Sequence, residues 1–475
     1  MPPSPLDLDR ETMRQIGHQA VDLVAEHLSS LRDQPAQRKL DRRSARELIA
    51  VPPPEAGVPF ETIIAALRER VFPYHAREPH PFFMGYVPSI PTFPSLAGDW
   101  IATGFNFFAG VYTVAAGPNE VELTVLEWFR QWMGMPEGSR GLLTSGGSNA
   151  TLTAVVAARH AALGDSADHT AKLTAYTSDQ AHSSVMRAAW IAGVSRDKVR
   201  AVPTDDQLRI RPDALAAAIE RDRSAGLQPF LIVGSAGTTN TGAVDPLDAI
   251  ADLAAREKLW FHVDAAFAGF AVLTERGRAL LGGLGRADSI TLDPHKWLYV
   301  PFECGCLLVH DPKKLEAAFH ILPDYLADVQ ARDQAVNFAD SGEQLTRYAR
   351  AFKVWVSVHD FGMAAIRAEI DRCMSRADLA ERLVREAPDL EVLSAAQFGI
   401  VCFRVHPRGM DDAAALDALN ERVNTAVNDS GKVLMSSTRL RGAFSLRLCL
   451  LNYRQTDDDV RTVIEMVRAA ARSAG

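Results

Sequence analysis

Ser289-Ile290-Thr291-Leu292-Asp293-Pro294-His295-Lys296-Trp297 is a short β-prone run that ends in an acid, a proline, a histidine and a lysine. A brief apolar run bounded by Asp-Pro predicts a buried strand followed by a turn. Residues at the end of such a strand tend to lie in the interior, and Lys296 is there. An unpaired ammonium in an apolar site costs several kcal/mol or loses its proton. A neutral amine is a nucleophile that condenses with an aldehyde. The companion run Leu259-Trp260-Phe261-His262-Val263-Asp264-Ala265-Ala266 has the same form, an apolar strand ending in a carboxylate. A lysine able to bond an aldehyde and an acid able to face a pyridinium nitrogen are the two halves of a pyridoxal 5'-phosphate (PLP) site.

Outward from these runs the pattern alternates. β-rich stretches at Leu173–Tyr176, Val199–Val202, Phe230–Val233, Trp260–Val263, Ser289–Leu292 and Cys306–Val309 are separated by helical ones such as 212–219 and 246–256. Asp245-Pro246 reads as the cap and first-turn proline of the second helix. Alternation of this kind predicts an α/β fold, a mostly parallel sheet covered by helices. Ligands of such sheets bind beyond the carboxyl ends of the strands. His182, Thr238, Asp264 and Lys296 each fall at or past a predicted strand end, so they are expected to converge. Thr144-Ser145-Gly146-Gly147-Ser148-Asn149-Ala150-Thr151 joins a strand to a helix, and its glycines and hydroxyls suit a phosphate at a helix N-terminus. Taken singly, the loop also reads as a Gly/Ser cap, His182 as a capping or surface residue, and Thr238 as a turn residue. Ala266 leaves room for a flat ring across from His182.

The flanks differ. Ile16, Ala20, Leu23, Val24, Leu28 and Leu31 share one face of a helix expected over 8–31, and a second helix is expected near 60–71, beyond Val51-Pro52-Pro53-Pro54. Two separated amphipathic helices make no core alone, so this arm packs on its own domain or clasps a second subunit. From residue 363 a long helix, short strands and a hairpin around Arg441-Gly442 predict a smaller α+β domain. The expected division is 1–90 for the arm, 91–362 for the large domain and 363–475 for the small one. The 475 residues carry a net charge of -8 with both signs mixed, against nucleic acid or an anionic membrane as main partner. No apolar run reaches the ~18 residues of a spanning helix, and the first residues lack a secretory pattern. A cytoplasmic protein is expected. The five cysteines show no zinc or redox spacing, so no metal is expected.

Asp179-Gln180-Ala181-His182-Ser183-Ser184, His262-Val263-Asp264-Ala265-Ala266 and Asp293-Pro294-His295-Lys296-Trp297 together resemble the PLP-dependent group II amino-acid decarboxylases, the aromatic-amino-acid members most. The resemblance spans residues 10 to 455, thinning toward the end. It implies a PLP-dependent transferase-like fold (fold type I) and a homodimer with the active site at the interface and the arm over the partner. It also implies that Lys296 bonds the cofactor, Asp264 pairs with the ring nitrogen and His182 stacks on the ring. Gly147, Ser148 and His295 would surround the phosphate, with Thr238 and Ala266 beside the ring. Tyr325 matches a tyrosine on the family's catalytic loop that delivers a proton, and Asp328 to Gln344 reads as a lid. The implied reaction turns an L-amino acid, aromatic in type (tyrosine, tryptophan, phenylalanine or DOPA), into its amine and carbon dioxide. The alternatives are an aldehyde synthase or a decarboxylase of a non-aromatic amino acid.

The chain departs from the animal enzymes at the site. Asn149 stands where Glu is usual, and Asp293 where Asn is usual; an extra carboxylate beside a phosphate is unfavourable unless neutralised or turned away. Pocket positions fall on Tyr86, Val87 and Ser89, on Phe108 and Gly110 or on Gly110 and Tyr112 according to register, and on Thr346. A Phe-rich wall (Phe82, Phe83, Tyr86, Phe105, Phe107, Phe108) suits an apolar side chain or is simply core. No Arg or Lys falls between Glu78 and Arg130, which argues against an acidic substrate.

Overall fold

The alternating segment folds as a seven-stranded sheet in the computed structural model, which describes residue 4 and residues 6–166, 170–321 and 335–474. After a two-residue strand, β1 (Phe83–Met84), the main strands are β2 (Arg140–Thr144), β3 (Leu173–Ser178), β4 (Val199–Val202), β5 (Gln228–Ser235), β6 (Trp260–Asp264), β7 (Ser289–Leu292) and β8 (Gly305–Val309). Their spatial order is β2-β8-β7-β6-β5-β3-β4. Strands β3 to β7 pair in parallel, and β8 runs antiparallel to both β2 and β7. Every residue of β3, β6, β7 and β8 is buried. Strands covered on both faces read as continuous apolar runs, and these four were legible for that reason.

The helix after β5 starts one residue later than expected, at Leu247, and Asp245 does not cap it. The Asp245 carboxylate instead accepts the Ile210 N–H at 2.7 Å and the Ser235 N–H at 2.8 Å. It thereby ties the end of β5 to the turn before residue 211. Burial pushes its carboxyl up to about 6, against the pull of those two N–H groups.

A second sheet has the order β1-β11-β12-β10-β9, built from β9 (Leu390–Gln397), β10 (Ile400–Val405), β11 (Leu434–Leu440) and β12 (Ala443–Cys449). It backs a separate core containing Met84, Val401, Phe403, Leu446 and Leu448. β1 joins it in parallel with β11, so Phe83 is core rather than pocket wall. The long helix Ala351–Glu386 is interrupted at Gly362, whose φ of 72° leaves the helical region. Only its second half was expected from the sequence.

In the arm, α1 (Arg10–Ser29), α2 (Arg42–Ile49) and α3 (Phe60–Arg70) are present. Leu28 and Leu31 are buried, Ile16, Leu23 and Val24 half-buried, and Ala20 exposed. The helix α2, capped by Asp41, was not expected because its charged residues leave no continuous apolar stripe. Arg32 anchors the arm through Asp459 at 3.0 Å. Two helices, α4 (Phe93–Phe105) and α5 (Ala116–Trp132), lead to the sheet; α6 (Gly147–Leu163) follows β2 and α7 (Ser183–Ile191) follows β3. Among the described residues no helix is long and apolar enough to cross a membrane.

Asp245→Asn is expected to destabilise the fold by ~1–3 kcal/mol, because an amide cannot accept both N–H groups. The gap to wild type should narrow as pH rises from about 4 to about 6. Over that range the folded wild type holds more protons than its unfolded chain, so its stability falls as the buried carboxyl ionises. Denaturant unfolding of both proteins at pH 4.5 and pH 7 measures this.

Candidate active site

The ladder β5–β6–β7 pairs Ser235 with Asp264 and Asp264 with Thr291. The three strands therefore end level, and the turns beyond them open on one cavity of about 540 Å³. Of the residues singled out in the sequence, Lys296, Asp264, His182, Thr238, Ala266, His295, Gly147, Ser148, Tyr86 and Val87 all line it.

The carboxylate of Asp264 lies at the end of β6, and its Oδ1 accepts the Ala266 N–H at 3.2 Å. Burial raises its carboxyl, while the positive potential of His182 and Lys296 pulls the other way. His182 precedes α7 and caps it: its Nδ1 accepts the Ser184 N–H at 3.2 Å. An accepting Nδ1 puts the proton of the neutral ring on Nε2. His182 thus caps a helix and also lines the cavity. Thr238 is buried and reaches the cavity through a sharp turn at Gly237, φ 93°, where a Cβ would meet Ala268 Cβ at 2.6 Å.

Lys296 differs from expectation. Its ammonium is not unpaired, because Nζ lies 2.8 Å from Asp293 Oδ2 on the same turn. Asp293 is 4% exposed, and its other oxygen, Oδ1, has no hydrogen-bond partner. His295 Nδ1 bonds the Cys304 carbonyl at 2.8 Å, leaving Nε2 3.7 Å from Asp293 Oδ2. Burial holds the His295 ring below its usual range, so it is neutral near pH 7. Across from this turn stands the N-terminus of α6. A Cβ on Gly147 would meet Asp293 Oδ2 at 2.9 Å and Ala266 Cβ at 3.1 Å, so the position has room only for hydrogen.

These residues fit PLP. An N-terminus of a 17-residue helix opens on the cavity, as a phosphate requires. An amine and a buried acid line the same space, and an orphaned carboxylate oxygen awaits a partner. Lys296, Asp264, His182 and the start of α6 would hold the group.

Other positions do not join the cavity in one chain. Ser89 is buried in the scaffold, donating from Oγ to the Val300 carbonyl at 3.1 Å. Gly110 lies against Leu345, whose carbonyl oxygen would be 2.1 Å from a Cβ there. Tyr112 donates its N–H to Asn337 and its hydroxyl to Glu120. Phe108 is half-buried and Thr346 exposed. Phe105 and Phe107 stack on each other, and Phe107 packs with Ala102, Ala109 and Ala349. Tyr325 lies outside the described residues. Within the expected lid, Phe338 is fully buried beneath the Arg347 guanidinium, so that part is core.

Sequence reasoning missed two arginines. Arg447, on β12, donates to the carbonyls of Tyr86 (2.6 Å), Thr239 (2.7 Å) and Asn240 (3.0 Å), and so stitches the cavity rim to the second sheet. A lone charge within Phe444-Ser445-Leu446-Arg447-Leu448-Cys449 was the available signal. Arg347 donates to Glu122 Oε1 and to the Leu143 carbonyl, both at 2.7 Å, and to the Ala109 carbonyl at 3.2 Å. Glu122 also accepts the Leu143 N–H at 2.8 Å.

With this geometry in view, the pyridoxal-dependent decarboxylase conserved domain matches residues 43–406. The chain belongs to the pyridoxal-dependent decarboxylase family. An aromatic-L-amino-acid decarboxylase of Bacillus atrophaeus is 36% identical over 467 residues, 98% of this chain and 97% of that one. A phenylacetaldehyde synthase of Arabidopsis thaliana is 30% identical, covering 93% of this chain and 92% of its own. The crystal structure of Oryza sativa TDC with PLP and tryptamine superposes with a TM-score of 0.94 at 29% identity, covering 99% of both chains. The fold is fold type I, the cofactor is PLP, and the protein is a PLP-dependent amino-acid decarboxylase.

Glu122→Gln leaves the Arg347 guanidinium buried without its counter-charge; both side chains are 1% exposed. The variant is expected to lose ~3–5 kcal/mol of stability, read by denaturant unfolding of the holoenzyme.

Proposed function

We propose that this decarboxylase converts an aromatic L-amino acid to its amine and carbon dioxide. The single observation that carries the reading is the lining of the cavity. Lys296 is the one Lys or Arg among the described residues that line it, and it is already committed to Asp293. An acidic side chain finds no spare cation there, whereas Tyr86, Val87 and Phe267 offer an apolar edge. The name of the Bacillus relative supports the same substrate class.

When bound, PLP supplies an electron sink for the bond to the departing carboxylate. The chain's own residues do the rest. Lys296 would hold the cofactor's aldehyde and give way to the substrate amine. Asp264 would face the ring nitrogen and keep a proton there, its carboxylate supported by His182 and Lys296 against the cost of burial. His182 would present its ring to the cofactor's face, fixed by its bond to Ser184. Tyr325 delivers the proton to the carbon that has lost its carboxylate.

The working unit we propose is a homodimer. The strip at 108–112, with Thr346, would reach the partner's cavity and complete its wall. The arm supports this, since it leaves Leu8, Met13 and Val21 exposed in a single chain.

A mass-spectrometric screen of amino acids, scoring amine, aldehyde and keto acid together, tests the reading. Amines from aromatic substrates are expected, with kcat/KM at least tenfold above that for glutamate or aspartate; the reverse order would overturn it. Lys296→Ala should abolish both amine formation and the visible absorption of the bound cofactor. Aldehyde synthesis is the second reading, favoured by the Arabidopsis relative's name and opposed by the tyrosine at 325. Tyr325→Phe is expected to shift product from amine toward aldehyde with oxygen uptake, and unchanged amine output would remove Tyr325 from the reaction.

A further inference from the structure

We infer that PLP binding is accompanied by uptake of one proton, held between Asp293 and the cofactor's phosphate. The carboxylate of Asp293 faces the place an anion would take. Its oxygens lie 2.9 and 3.2 Å from where a Gly147 Cβ would stand, at the first residue of α6. It is 4% exposed, and Oδ1 has no partner. The charge count of the cavity is unfavourable for a dianion. Asp264 and Asp293 are its acids and Lys296 is its one strong base among the described lining residues.

The other groups around Asp293 bring little relief. His295, on the same turn, is kept uncharged by burial. His182 faces Asp264 from the end of β3 and is held by Ser184. The thiols of Cys304 and Cys306 on the neighbouring segment are pushed up by burial, Cys304 to about 12, and stay neutral. Lys353, on the long helix, is 2.7 Å from Asp99 and committed to it. Two oxyanions forced together in a poorly solvated site share a proton rather than both ionise. A proton on Oδ1 gives that oxygen the donor role it lacks and turns a repulsion into a hydrogen bond to phosphate.

This inference rests on placing the phosphate at the start of α6. Titration of the apoprotein with PLP from pH 6.5 to 9, followed by absorbance and by calorimetry in two buffers of different ionisation enthalpy, tests it. Wild-type Kd should rise with pH more steeply than that of Asp293→Asn, by up to tenfold per pH unit. The proton count on binding should be about one higher in wild type. Pyridoxal, which lacks the phosphate, should show no such difference between the two proteins. Parallel pH profiles and equal proton counts would overturn the inference. If the Asn variant does not fold, a wild-type count near pH 8 that is the same for PLP and pyridoxal overturns it as well. Gly147→Ala separates the underlying placement: it should weaken PLP while sparing pyridoxal. Equal losses for both would show that the phosphate lies elsewhere, whatever Asp293 does.

Discussion

The register of three parallel strands sets everything at the cavity. Ser235, Asp264 and Thr291 stand abreast on β5, β6 and β7, so the chain leaves the sheet at one level three times. From there the spacing along each turn decides which side chain arrives. Asp264 is the last residue of its strand, Thr238 lies just past β5 through Gly237, and Lys296 follows β7 by one short helical turn. A slip of one residue in either pairing would turn Asp264 away from the cavity, since neighbouring strand residues face opposite sides. The polar groups that need a buried, shared space are thus placed by backbone hydrogen bonds rather than by contacts among themselves.

Much of this was legible because parallel strands buried on both faces announce themselves as apolar runs, and because chemistry-bearing residues follow them directly. β4 and β7 appear with the bounds read from sequence. The turn residues His182, Thr238, Asp264 and Lys296 meet for the same reason. What stayed hidden depends on pairing across long sequence separations. Phe83 belongs to a sheet whose other strands lie some 300 residues later. The Asp245 carboxylate bonds two strand-end amides instead of the helix that follows it. Lys296 has a counter-ion three residues back, where only a turn geometry brings them together. The strip at 108–112 is a different case, since its proposed destination is another chain.

The two arginines that sequence reading passed over serve the site from behind. Arg347 gathers Glu122, Leu143 and Ala109 around one guanidinium, joining α5, the end of β2 and the loop after α4. β2 leads straight into the glycines at the start of α6, so this buried cluster backs the anion cradle. Buried ion pairs contribute little net stability compared with apolar packing, but breaking one is costly. Its value here is positional, because the planar fork fixes three segments at once.

The guanidinium of Arg447 has a wider consequence. It belongs to the second core, yet its hydrogen bonds end on Thr239 and Asn240 from the first and on Tyr86 at the junction. The mouth of the cavity is therefore assembled from both cores, and parting them unmakes it. Any ligand that binds the cavity resists that parting in proportion to its affinity. Cofactor loading thus acts as a clasp on the architecture, making two separately packed cores unfold as one cooperative body.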